Sequence, residues 1–138
     1  MTPETIALVK KQGTSIAHCP LSNAYFSSQI FPLRACLDAG IDVGLGSDCA
    51  GGHTLDLAVQ MRHAVTASRL LESASPEPQQ PAGQPVRITW QESLYLATRG
   101  GALALAEPLV GGRLQVGEFF DAQISASFSL PADRCLDG

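Results

Sequence analysis

Asp48 is the residue in this chain best placed to do chemistry. It closes the run Ile41-Asp42-Val43-Gly44-Leu45-Gly46-Ser47-Asp48, and Cys49, Ala50, Gly51 and Gly52 follow at once. A short apolar run that stops at an acid reads as a buried parallel strand delivering a carboxylate to the end of a sheet. Ligands and metals gather at the carboxyl ends of strands in α/β folds. A carboxylate there can hold a cation or accept a proton. The plainer alternative is a turn-forming aspartate at a strand end.

The other candidates are three histidines and four cysteines. His18-Cys19-Pro20 ends a second short strand, so His18 and Asp48 should reach the same face of the sheet. A zinc site built from His18, Asp48 and His53 is one reading of that arrangement, and a hydrogen-bonded wall histidine is the plainer one for His18. His53 falls in the loop after the paired glycines and reads as a rim residue. His63 shares a helix face with Val59, Thr66 and Leu70, which puts it at a packing boundary. Cys36 sits in a helical pattern and reads as a small core residue. Cys19 and Cys49 both follow strand ends, so a disulfide or thiolate ligand there competes with the reading as reduced thiols. A small metal- or thiol-binding protein using His18, Cys19, Asp48 and Cys49 is one reading that follows. Ser22 and Asn23 hold their loop through side-chain-to-backbone bonds or line the pocket, and the first is expected because Ser and Asn commonly do this in turns. Gly44-x-Gly46 lacks the third glycine of a dinucleotide-binding turn, and no Ser–His–Asp or Cys–His triad finds support.

These residues need a scaffold, and the chain marks one. Thr2, Pro3 and Glu4 open a helix whose end carries Lys10, Lys11 and Gly13. Thr14 to Cys19 is a short strand stopped by Pro20. Leu21 to Gln29, rich in Ser and Asn, reads as a loop, and Phe31 to Gly40 as a second helix. The strand carrying Asp48 follows. Helical spacing resumes from Thr54 to Leu71, with Leu57, Met61, Ala64, Val65 and Leu71 as its apolar face. Residues 73–86 hold four prolines and read as a flexible surface insertion. Thr89 and Glu92 form a capping box for a helix expected to run to about Ala106. Gly100 and Gly101 inside it cost about 1 kcal/mol each relative to alanine, which points to a close backbone contact. The tail changes period: Gly111 to Gly117 reads as turn-rich β structure and Phe119 to Ile124 as a strand.

The bulk numbers narrow the function classes. The sequence has 138 residues, 45% hydrophobic and 16% charged, and this is enough for one globular core. Its net charge is −4 with scattered basic residues, which argues against a nucleic-acid partner or a membrane surface. No stretch reaches bilayer-spanning length and no signal peptide opens the chain, so a cytoplasmic protein is expected. Two strands leave backbone donors and acceptors open on both sides of the pair. The order of elements reads as the last quarter of a (β/α) barrel within a longer protein.

His18-Cys19-Pro20-Leu21-Ser22-Asn23 followed by Gly44-Leu45-Gly46-Ser47-Asp48-Cys49-Ala50-Gly51-Gly52 resembles the closing part of barrels in the metal-dependent amidohydrolase superfamily. The paired glycines after the acid resemble the guanine deaminase branch. Leu96 to Ala102 and Val110 to Ile124 resemble its later segments, so the likeness covers nearly the whole chain in order. The resemblance implies an α/β fold: the last two strands of a TIM-like (β/α)8 barrel over residues 1–108, and the start of a returning β-sandwich over 109–138. It implies a zinc-dependent hydrolysis of guanine to xanthine and ammonia. Asp48 would be both a Zn2+ ligand at the end of the eighth strand and the acceptor of a proton from the attacking water. It also implies a cytosolic protein that forms a homodimer, while the open sheet edges suit pairing with a full-length copy. The branch's His-x-His pair, its two later histidine ligands and its proton-shuttling glutamate are absent. The isolated chain is therefore expected to be inactive, and a non-catalytic remnant that binds a full-length deaminase is the alternative.

Overall fold

A computed structural model describes residues 1–49, 51–74, 85–106 and 111–123. Its elements run α1 (Pro3–Lys11), β1 (Ile16–His18), α2 (Pro20–Phe26), α3 (Leu33–Asp38), β2 (Val43–Leu45), α4 (Leu57–Ala74), α5 (Trp90–Ala97) and α6 (Arg99–Ala104). The strands pair in parallel, with Ile16 opposite Val43, Ala17 opposite Gly44 and His18 opposite Leu45. α2 and α3 make the crossover between them, as a parallel pair requires. Each strand has a partner on one side only among the described residues.

Local chemistry sets several helix ends. Thr2 Oγ1 accepts from the Thr5 N–H at 3.3 Å, with proline at the first helical position of α1, and Gly13 leaves at φ 63°. At α5 both halves of the capping box form: Thr89 Oγ1 accepts from the Glu92 N–H at 3.2 Å and Glu92 Oε2 accepts from the Thr89 N–H at 2.7 Å. Burial pushes the Glu92 carboxyl up, but the Thr89 bonds and the Arg34 guanidinium at 2.6 Å prevail and hold it below the ordinary glutamate value.

The core lies between one face of the strand pair and the helices. Leu33, Cys36, Ile41, Val43, Ala64, Ile88 and Leu96 are buried there, with Ile16 and Leu45 packed against them. Cys36 is fully buried, as its helical position predicts. Glycines allow α6 to reach β2. A Cβ on Gly100 would stand 2.7 Å from the Val43 carbonyl oxygen, and one on Gly44 would stand 2.9 Å from Gly101 Cα. This is the close backbone contact that the Gly100-Gly101 pair predicts.

Three expectations change in the helices. Leu21 to Phe26 is not loop but most of α2, because Pro20 suits a first helical position and the Leu21 N–H finds Gln60 Oε1 at 3.3 Å. Of the apolar face expected on α4, Ala64 is buried and Val65 packs against the core, but the other buried positions are the polar Gln60 and Ser68, and Leu57 is exposed. These polar groups are satisfied at long range: Ser68 Oγ accepts from the Ile88 N–H at 3.0 Å. The helix after Thr89 does not run unbroken to Ala106. It breaks at Thr98 (φ −120°, ψ −95°), where α6 turns back toward β2.

The tail also differs. Residues 111–123 hold turns and no strand, with Phe119 and Phe120 exposed and no neighbouring strand to pair with among the described residues. The rest of the expected sandwich segment, including Ile124, lies outside the described residues. So does most of the expected 73–86 insertion. Residues 73 and 74 continue α4, and the Val86 N–H returns to Glu72 Oε1 at 3.1 Å. No helix among the described residues is long and apolar enough to cross a membrane.

Candidate functional site

The tips of β1 and β2 carry the site. β2 ends at Leu45, and the chain reaches Asp48 three residues later, where the backbone turns left-handed at φ 50°. Among non-glycine residues aspartate tolerates this region better than most, because its short polar side chain can bond locally. The Gly51 and Gly52 N–H groups both donate to the Asp48 carbonyl oxygen, at 2.6 and 3.2 Å, and close the turn. A non-glycine residue held at positive φ stores strain, and such strain gathers at functional sites.

The Asp48 side chain is exposed yet held. Ser22, in the first turn of α2, donates its hydroxyl to Asp48 Oδ2 at 2.6 Å. That distance is typical of a hydroxyl bonded to a charged carboxylate. Ser22 is only 7% exposed, so the fixed partner is the donor. Gly51 sits against the same oxygen: a Cβ there would lie 2.2 Å from Oδ2. No hydrogen bond reaches Oδ1 from the described residues. Asp48 thus stands over the end of the neighbouring strand with one oxygen tethered and one open, an arrangement suited to holding a cation or a proton.

Cys19 lies on the same side. Its Sγ would be 3.0 Å from a Cβ on Gly46. Burial pushes the Cys19 thiol up, and the Asp48 charge adds to that. A protonated thiol is a poor metal ligand. Cys19, Cys36 and Cys49 are all free, so no disulfide joins Cys19 to Cys49.

His18 and Asp48 are not brought together. His18 points to the helix-covered face, where it is 3% exposed and stacks on Phe31 with ring centroids 4.8 Å apart. It lines a cleft of about 210 Å³ with Pro20, Asn23, Phe31 and Ala67, and Asp48 takes no part in it. Burial pulls the His18 pKa down to about 4, and its Nδ1 has no hydrogen-bond partner among the described residues. The ring is a neutral wall residue. His53 is exposed and meets Tyr25 edge-on at 6.2 Å, a rim position as its loop predicts. His63 is half-buried on α4.

Among the described residues no three His, Cys, Asp or Glu side chains converge as a metal site would need. The four-residue site of His18, Cys19, Asp48 and Cys49 therefore does not form, because neighbours on a strand face opposite sides. A zinc site from His18, Asp48 and His53 does not form either. Among the described residues neither Ser22 nor Asn23 ties a loop to its own backbone, and Asn23 takes the pocket-lining place that is its alternative. Ser22 holds a carboxylate on another element, and Asn23 lines the cleft beside His18. The signal that points to Ser22 is its place two residues after Pro20, in the first turn of a helix that starts at a strand tip.

Comparison with known proteins bears on what this site belongs to. The chain is 37% identical over 134 residues to a probable guanine deaminase of Schizosaccharomyces pombe, covering 97% of this chain and 24% of that protein. It superposes on the Escherichia coli guanine deaminase with a TM-score of 0.67 and 28% identity, covering 81% of this chain and 23% of the other. It superposes equally on an adenosine deaminase of Xanthomonas campestris determined with bound zinc: TM-score 0.70, 28% identity, 86% of this chain and 25% of the other. The chain spans about a quarter of the length of these proteins. The sequence profile of the amidohydrolase family matches residues 1–133, and the chain belongs to that family.

Proposed function

We propose that this chain is the part of a hydrolytic deaminase that delivers Asp48 to the reaction centre, and that the substrate is guanine. The carrying observation is the Asp48 carboxylate over the tip of a parallel strand pair, tethered through Oδ2 by Ser22 and with no bond to Oδ1 from the described residues. The likeness to guanine deaminases supports the choice of substrate. β1 and β2 are then the last two strands of a (β/α)8 barrel, and their outer edges, unpaired among the described residues, are where the remaining barrel segments, or a longer copy, add.

In the reaction, water adds to the amino-bearing ring carbon of guanine, the carbon–nitrogen bond breaks, and xanthine and ammonia leave. Asp48 takes a proton from the water and returns it toward the departing amine. Ser22 keeps the accepting oxygen facing outward. A carboxylate poised this way contributes on the order of 10²–10⁴-fold to rate.

The likeness to a zinc-bound deaminase extends the proposal to a zinc-dependent enzyme. The described residues do not fit a zinc ion by themselves, since Asp48 offers one ligand where a catalytic zinc takes about three from protein. The other ligands belong to polypeptide outside this chain, and the 138 residues alone are inactive. The likeness to an adenosine deaminase favours a second reading, in which another aminopurine is the substrate.

The test replaces the matching quarter of the Schizosaccharomyces pombe relative with this chain. The chimera should release ammonia from guanine faster than from adenosine, and the 138-residue chain alone should release none. Ammonia release from adenosine but not guanine moves the assignment to the second reading. Turnover with stoichiometric zinc in the isolated chain contradicts both.

A further inference from the structure

We propose that Ser22 is a positioning residue that fixes the rotamer of the Asp48 carboxylate, with Gly51 as the gap that lets it do so; this rests on the reading of Asp48 as the reacting carboxylate. Donor and acceptor differ in burial. Ser22 is nearly enclosed, while Asp48 projects from a turn into the open, so the hydroxyl steers the carboxylate.

Ser22 is anchored from behind. The Leu21 N–H beside it donates to Gln60 Oε1 at 3.3 Å, and Gln60 is completely buried in α4. Gln60 Nε2 also reaches the Thr54 carbonyl oxygen at 3.5 Å. One buried amide therefore joins the start of α2 to the loop that follows Asp48. On the other side of the carboxylate, a methyl group at position 51 would lie 2.2 Å from Oδ2 and 2.7 Å from Cγ. A methyl there would push the carboxylate out of its present position. The backbone turn at Asp48 is closed separately, by the Gly51 and Gly52 N–H groups on its carbonyl oxygen. Loop shape and carboxylate direction are thus held by different bonds, and they can be separated by experiment.

The first measurement is the side-chain rotamer of Asp48 in the isotopically labelled chain, from three-bond couplings to Cγ. One rotamer should dominate in the parent. Ser22→Ala should spread it over the staggered wells, lowering its weight relative to the others by about tenfold or more, as expected for loss of a bond to a charged group. Ser22→Thr, which keeps the hydroxyl, should restore it. Gly51→Ala should displace the rotamer with Ser22 intact. The Gly51 and Gly52 amide shifts should stay in place in Ser22→Ala, which separates positioning from loop collapse. Averaging in the parent, or a fixed Asp48 in Ser22→Ala, overturns the proposal. In the chimera, Ser22→Ala should lower kcat at least about tenfold with KM unchanged, and Ser22→Thr should recover it. An active chimera indifferent to Ser22→Ala sinks the positioning role and leaves the functional reading standing. An inactive chimera sinks the functional reading, and the rotamer measurement alone then decides the positioning role.

Discussion

Mild acid should destabilise this chain through His18. The ring is 3% exposed, its Nδ1 has no hydrogen-bond partner among the described residues, and burial holds its pKa at about 4 against 6.5 for the free side chain. Above pH 6.5 the ring is neutral in both folded and unfolded chains and titration costs nothing. As pH falls below 6.5 the unfolded chain takes up a proton that the folded chain refuses. Stability then drops by about 1.4 kcal/mol per pH unit, reaching about 2 kcal/mol at pH 5 and about 3 kcal/mol near pH 4. That is a large share of the 5–15 kcal/mol typical of a domain. The assay is urea unfolding followed by far-ultraviolet circular dichroism at pH 8, 7, 6 and 5. The midpoint should be level between pH 8 and 7 and fall steadily below. His18→Phe preserves a ring against Phe31 and removes the titration, so its midpoint should stay level down to pH 5. The carboxyls that folding holds low, Glu4, Glu72 and Glu92, destabilise in the same direction but only below about pH 4.5. A parent midpoint that does not move between pH 7 and 5, or a His18 resonance that titrates near 6.5, would show that burial does not keep this ring neutral.

Gly100→Ala should destabilise the chain by about 1–3 kcal/mol, where helix propensity alone would stabilise it by about 1 kcal/mol, because the new methyl meets the Val43 carbonyl; urea unfolding gives the sign. Thr89→Ala removes the acceptor for the Glu92 N–H and should cost about 1 kcal/mol. Faster amide exchange in the first turn of α5, with α1 unaffected, would locate that loss.

What the sequence makes legible is what neighbouring residues decide. The cap at Thr2, the capping box at Thr89 and Glu92, and the acid at the tip of β2 are each written within a few positions. The Gly100-Gly101 pair shows itself by its cost in a helix. What stays hidden depends on partners far along the chain. α2 has seven residues, too short to announce itself by periodicity, and leans on Gln60 thirty-nine positions away from Leu21. Gln60, Ser68 and Ser93 break the apolar pattern expected of buried positions, because each finds a partner on another element or a distant turn. His18 and Asp48 share a sheet end by spacing alone. Strand alternation then turns His18 toward the helices and puts Cys19 beside Asp48. The strand expected at Phe119 has the composition for β structure and no strand beside it among the described residues.

The most direct test of the account is guanine turnover by the chimera with Asp48 intact and as Asp48→Asn. Xanthine and ammonia should appear in equal amounts with the parent sequence, and the substitution should cut the rate by about 10²–10⁴-fold while the fold survives. A chimera that turns over guanine within a few-fold of the parent rate after Asp48→Asn contradicts the claim that this carboxylate reaches the chemistry.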